Sequence, residues 1–174
     1  MKNVLPIILI FAILFVVFFS TRDAQAAQPT LATMADCITN DAAFFTSPSW
    51  SGTTCTVTKV ILPHGTHLTI SSGATLSITG TGSSLISGTI IAISSGTSLT
   101  INSGGALTNS GGTITNSGTL TNSGSITNTG TITNSGTIIN NSGDTITNSG
   151  TINNQAGGTI TNTGTITNSG TLTN

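Results

Sequence analysis

Residues 112–136 read GTITNSGTLTNSGSITNTGTITNSG, with one Ile or Leu at every sixth position and hydroxyl or amide residues between them. Alternate residues of an extended chain face opposite sides. Six is an even number, so the repeated word keeps its phase: Ile, Asn and Gly collect on one side, and Thr, Thr and Ser on the other. Thr and Ile favour extended backbone, while Gly and Asn accept the left-handed conformations of tight corners. Upstream, from Gly65, glycine returns every seven to nine residues. Each of those units holds an apolar-x-apolar pair, as in Leu68 and Ile70, Leu76 and Ile78, or Leu99 and Ile101, which is the period of a strand.

One hexapeptide cannot bury its own Ile, but stacked coils can place each Ile above that of the next coil. The pattern therefore predicts an all-β fold, a single-stranded β-solenoid over residues 61–174. Units are irregular to about residue 110 and hexapeptide-like after it. The six-residue spacing holds from Gly112 to Gly136, is interrupted by GTIINNS, GDTITNS and GTINNQAG, and resumes at Gly158, Gly164 and Gly170. A three-sided coil takes about eighteen residues, and with strands ~4.8 Å apart the segment makes roughly six coils, a rod ~30 Å long. Gly is expected to permit close approach beside the corner, and Asn to stack into a hydrogen-bonded ladder.

Composition changes this picture in one respect. Only 4% of residues are charged, which invites a disordered reading, but 36% are apolar and regularly spaced, and a disordered chain lacks that hydrophobicity. Residues 1–26 read as a signal peptide: Lys2, then the apolar run Val4–Phe19, then a small-x-small pattern at Ala24 and Ala26. The run is shorter than the ~20 residues that span a bilayer. Left uncleaved, it would be an anchor, the one circumstance in which a membrane is an expected partner. Cleavage leaves Lys59 against Asp36, Asp41 and Asp144, one positive against three negative charges. That is no electrostatic footprint for nucleic acid or acidic lipid.

Residues 27–60 read as a small N-terminal cap. Cys37 and Cys55 form an even pair, which in an exported protein implies a disulfide. The loop between them holds Phe44, Phe45 and Trp50, the aromatic residues that remain after cleavage. Their separation and the absence of a CxxC argue against a redox or metal pair.

The GTITNSG run resembles the Gly-Thr-Ile-Thr-Asn repeats of secreted β-helical surface proteins, among them haemagglutinin-like and autotransporter-type adhesin stalks and related exported repeat proteins of bacteria and archaea. The resemblance covers about residues 65–174. It implies a right-handed helix, whereas the hexapeptide spacing is similar to that of the left-handed hexapeptide helix, so handedness stays open. It also implies a secreted or cell-surface protein, structural or adhesive and not an enzyme, with no cofactor.

Candidate sites are few. His64 and His67, in PHGTH, have no third ligand in sequence reach, and a turn pair is the better reading than a metal site. Calcium-binding solenoids need repeated Asp, and Asp144 is the only acid after Asp41. Asn140-Asn141-Ser142 is the only N-x-[ST] sequon; it falls in an inserted unit, where a corner is expected to bulge outward, making Asn140 a candidate for N-glycosylation. Six Thr-x-Thr pairs are expected to point outward as ladders: Thr113 and Thr115, Thr119 and Thr121, Thr131 and Thr133, Thr145 and Thr147, Thr159 and Thr161, and Thr165 and Thr167. Such ladders resemble those of insect ice-binding proteins, so ice or a polysaccharide is the alternative ligand class. The competing account is that Thr simply suits an exposed, uncharged strand. At the other end GTITNSGTLTN carries no charge, Pro or aromatic lid, and end-to-end stacking with another copy is expected there.

Overall fold

The computed structural model describes Thr30–Leu31, Cys37 and residues 44–174; the expected signal peptide at 1–26 lies outside them. Successive strands are laid in turn on three sheets of seven strands each, the three sides of a β-solenoid of about six turns. The first sheet stacks Thr30–Leu31, His67–Ile70, Ile90–Ile93, Thr113–Asn116, Thr131–Asn134, Thr151–Asn154 and Thr171–Thr173. The second runs Ser49–Ser51, Thr54–Val57, Thr75–Ile78, Ser98–Ile101, Thr119–Asn122, Thr137–Asn140 and Thr159–Asn162. The third runs Phe45–Thr46, Lys59–Leu62, Ser83–Ile86, Ala106–Ser110, Ser125–Asn128, Thr145–Asn148 and Thr165–Asn168.

Coil-to-coil pairing is parallel and in register. Thr113, Ile114, Thr115 and Asn116 lie over Thr131, Ile132, Thr133 and Asn134, and those in turn over Thr151, Ile152, Asn153 and Asn154. The even repeat works as expected, with the second and fourth residues of the strands from Thr113 to Asn154 buried and the first and third half-exposed. Parallel stacking starts ahead of residue 61, because Thr54–Val57 already lies in register on Thr75–Ile78.

The N-terminal end is closed differently. Phe45–Thr46 pairs antiparallel with Lys59–Leu62, and Ser49–Ser51 antiparallel with Thr54–Val57. Thr30–Leu31 covers His67–Ile70 in parallel. The expected disulfide is present: Cys37 bonds Cys55, with both residues fully buried. Phe45 is buried in the core, and Phe44 and Trp50 pack against it.

The glycines divide into two kinds, and only one makes the left-handed corners expected of them. Gly143, in an inserted unit, has φ +87° and open space around it. Gly118, in the strict repeat, has no such φ; a Cβ there would sit 2.3 Å from the carbonyl oxygens of Ser94 and Thr97 in the coil before. Asn does not turn the corner either: the non-Gly residues with positive φ among those described are Ser47 and Ser72. The strict repeat uses Gly for close approach and Asn for the interior.

Candidate functional site

Among the described residues no cleft opens and no three His, Cys, Asp or Glu side chains lie together. What the molecule offers to a partner is its three sheet faces, its corners and its ends.

The order of those faces comes from the interior. Each sheet holds two inward columns. In the first sheet one column is Leu68, Ile91, Ile114, Ile132 and Ile152, all buried. The other begins with Ile70 and Ile93 and changes to Asn116, Asn134 and Asn154. The second sheet makes the same change between Ile101 and Asn122, and the third between Leu85 and Asn109. The Asn side chains then form three continuous ladders. Asn116 Nδ2 donates to Asn134 Oδ1, Asn134 to Asn154 and Asn154 to Asn174, each at 2.7 Å. The second sheet carries Asn122 to Asn140 to Asn162, and the third Asn109 to Asn128 to Asn148 to Asn168.

Each amide also donates to a main-chain carbonyl at a corner, as Asn134 Nδ2 does to Gly136 O and Thr159 O. A buried amide without partners costs about 1–3 kcal/mol, so stacking is what makes Asn tolerable inside. The ladders have a defined beginning: Asn109 Oδ1 and Asn116 Oδ1 are buried without a donor, since the residues above them are Leu85 and Ile93.

This arrangement corrects the expectation for Asn140. The inserted residues after it do bulge, through Gly143, but Asn140 itself is the last inward residue of its strand and is 0% exposed. Its Nδ2 donates to Asn162 Oδ1 at 2.8 Å and to Thr165 O at 3.1 Å. The folded rod does not present that amide to a glycosylating enzyme.

The Thr pairs all occupy outer strand positions, but they do not make one ladder. Successive strands go to successive sides, so the pairs are shared among three faces. Thr113 with Thr115 and Thr131 with Thr133 lie on the first sheet, and Thr119 with Thr121 and Thr159 with Thr161 on the second. Thr145 with Thr147 and Thr165 with Thr167 lie on the third. There Thr147 stacks in register on Thr167, so these two hydroxyls belong to one short column. Thr147 is half-exposed and Thr167 exposed, because Thr167 sits in the last described coil with nothing stacked beyond it there.

The three faces differ in regularity. The first sheet interrupts its hydroxyl columns with His67, Ile90, Ala92 and Asn153. The third, which carries Thr147 and Thr167, interrupts them with Lys59, Ile61 and Ala106. The second is the most regular. One outer column is Thr54, Thr75, Ser98, Thr119, Thr137 and Thr159; the other is Thr56, Ser77, Thr100, Thr121, Ile139 and Thr161. Ser77 is covered, receiving a hydrogen bond from Asn102 Nδ2.

Half of that face, from Thr54 to Thr100, comes from irregular units that the repeat pattern did not single out. The signal was present as hydroxyl residues on both sides of Cys55, Leu76 and Leu99, but unequal unit lengths hid which side of the rod they reach. His67 is an outer residue of the first sheet opposite Ile90, and His64 is exposed at the preceding corner against Gly88.

Compared with known proteins, the chain matches the profile described as "Haemagglutinin repeat" over residues 64–156 and again over 112–174, together well over half its length. Neither curated proteins nor solved structures give a match.

Proposed function

Because this chain belongs to the family of haemagglutinin-repeat proteins, we propose that it is a non-catalytic rod displayed outside the cell, structural or adhesive in role and associating with copies of itself. The observation that carries the reading is the set of three unbroken Asn ladders. They hold the sheet faces flat and periodic without charges, clefts or bound groups, which suits a spacer or contact surface. Fully exposed weak contacts add up only when many are presented in fixed geometry. The resemblance of the leader to a signal peptide and the usual surface placement of the family support export. Protease shaving of intact host cells, with fractionation, tests it: the rod is expected in the surface or medium fraction. Recovery solely from the cytosol with an intact leader would overturn the proposal.

A second reading, a periodic ligand such as polysaccharide or ice, is favoured by the second sheet, whose outer columns are hydroxyl residues but for Ile139. Two double variants separate the cases by thermal hysteresis and polysaccharide pull-down. One carries Thr119→Lys with Thr121→Lys on the second sheet, the other Thr131→Lys with Thr133→Lys on the first. A specific second-sheet ligand predicts loss in the first variant only.

A further inference from the structure

The last described coil presents unfinished surface. Thr159–Asn162, Thr165–Asn168 and Thr171–Thr173 are each paired along one edge among the described residues. Their outer edges carry unpaired N–H and C=O groups, a template for another strand. Ile160 and Ile166 are half-buried and Leu172 is 44% exposed, whereas one coil earlier Ile146 and Asn148 are sealed at 2% and 0%. Asn162 and Asn168 are exposed, and each Nδ2 donates only to the carbonyl of its own corner, Gly164 and Gly170. No charged side chain occurs from Thr145 to Asn174. The surface that matches this edge, in strand spacing, inward Ile and corner geometry, is a coil of this same sequence.

The other end offers no such surface. All three sheets begin under a covering segment: Thr30–Leu31 on the first, Ser49–Ser51 on the second and Phe45–Thr46 on the third, the last two antiparallel. The disulfide and the packed Phe44, Phe45 and Trp50 seal that end. A second copy therefore cannot add head to tail.

Resting on the self-association put forward above, we propose that two copies of residues 27–174 pair tail to tail through their last coils, and that assembly stops at the dimer. A two-fold axis perpendicular to the rod brings the edges together antiparallel. One sheet then meets its own counterpart, and the other two exchange. The contact is isologous and closed, so it does not propagate into a fibre. The ladders set its strength: every amide directs Nδ2 toward the C-terminal end, so facing ladders meet donor to donor. Strand edges and the Ile160, Ile166 and Leu172 layer carry the contact, and it is weaker than the stacking within one chain.

The test uses residues 27–174, which contain every described strand, in sedimentation and small-angle X-ray scattering across a concentration series. A reversible dimer is expected, with roughly twice the monomer's maximum dimension and the same cross-section. Leu172→Lys, at a residue already exposed, places an inward charge at the edge and weakens the dimer by roughly tenfold or more, with circular dichroism and melting unchanged. A strictly monomeric chain sinks the self-association itself. Long polymers, a lateral dimer of unchanged length, or a dimer indifferent to Leu172→Lys leave self-association standing and overturn the tail-to-tail closure.

Discussion

The first and second halves of the rod fill the same three-sided coil in two ways. In the first half each strand buries two aliphatic residues, such as Leu68 with Ile70 and Leu99 with Ile101. Its corners are true turns closed by their own backbone hydrogen bonds, as from Ala74 N to Ser71 O and from Thr97 N to Ser94 O. In the second half each strand buries one Ile or Leu and one Asn. Its corners are too short for an internal bond; Ser135 N and Gly136 N both reach back to Asn116 O in the coil before. The two changes belong together. A hexapeptide leaves no residues to satisfy a corner locally, so corner carbonyls take donors from buried Asn. Where residues are inserted, the turn bond returns, from Asp144 N to Asn141 O and from Gly158 N to Gln155 O. Unit length decides whether a corner is satisfied by itself or by the ladder.

The largest expected effect tests what the halves share. Ile132, 1% exposed between Ile114 and Ile152, cannot accommodate a carboxylate. Ile132→Asp is expected to cost about 4 kcal/mol or more, and Thr131→Asp beside it less than about 1 kcal/mol. Equal losses of melting temperature would refute the face assignment. The glycines come next. Gly118→Ala drives a Cβ into two backbone carbonyls of the preceding coil, an overpacking cost of about 3 kcal/mol. Gly143→Ala meets only its positive φ, about 1 kcal/mol. Chemical denaturation of the two variants separates close approach from corner conformation; the reverse ranking would contradict it.

The smallest effect concerns the ladder. Asn134→Leu strands Asn154 Oδ1 and one donor of Asn116 in mid-column, at about 2 kcal/mol. Asn116→Leu merely moves the unpaired oxygen from Asn116 to Asn134, extends the Ile93 column, and is expected to cost about 1 kcal/mol or less. Hydrogen exchange at neighbouring amides checks whether the loss spreads through the column or stays local.

Much of this was legible in the chain alone. Ile114, Ile132 and Ile152 announce the buried face because their spacing is even and the strand period is two. Cys37 and Cys55 announce their bridge because an exported pair flanking the chain's aromatic cluster has few other uses. Asn140 shows where local reading fails: a sequon beside an insertion suggests an exposed corner, yet its strand phase puts it inside, held by Asn162, which lies one coil away. Nothing near Asn140 in sequence supplies that partner. Thr147 and Thr167 show a milder failure. Their outward direction follows from the repeat, but their place on the interrupted third face does not.

Alternation, repeat length and the solenoid class were thus determined by the sequence itself, through steric preferences acting between neighbours. The tertiary structure decided the rest: which Thr pairs share a side, where aliphatic columns give way to Asn, and which end is closed. Those depend on contacts between coils of unequal length. From Thr113 to Thr131 the step is eighteen residues, and from Thr137 to Thr159 it is twenty-two, so position along the chain does not translate into position on the rod until the coils are stacked.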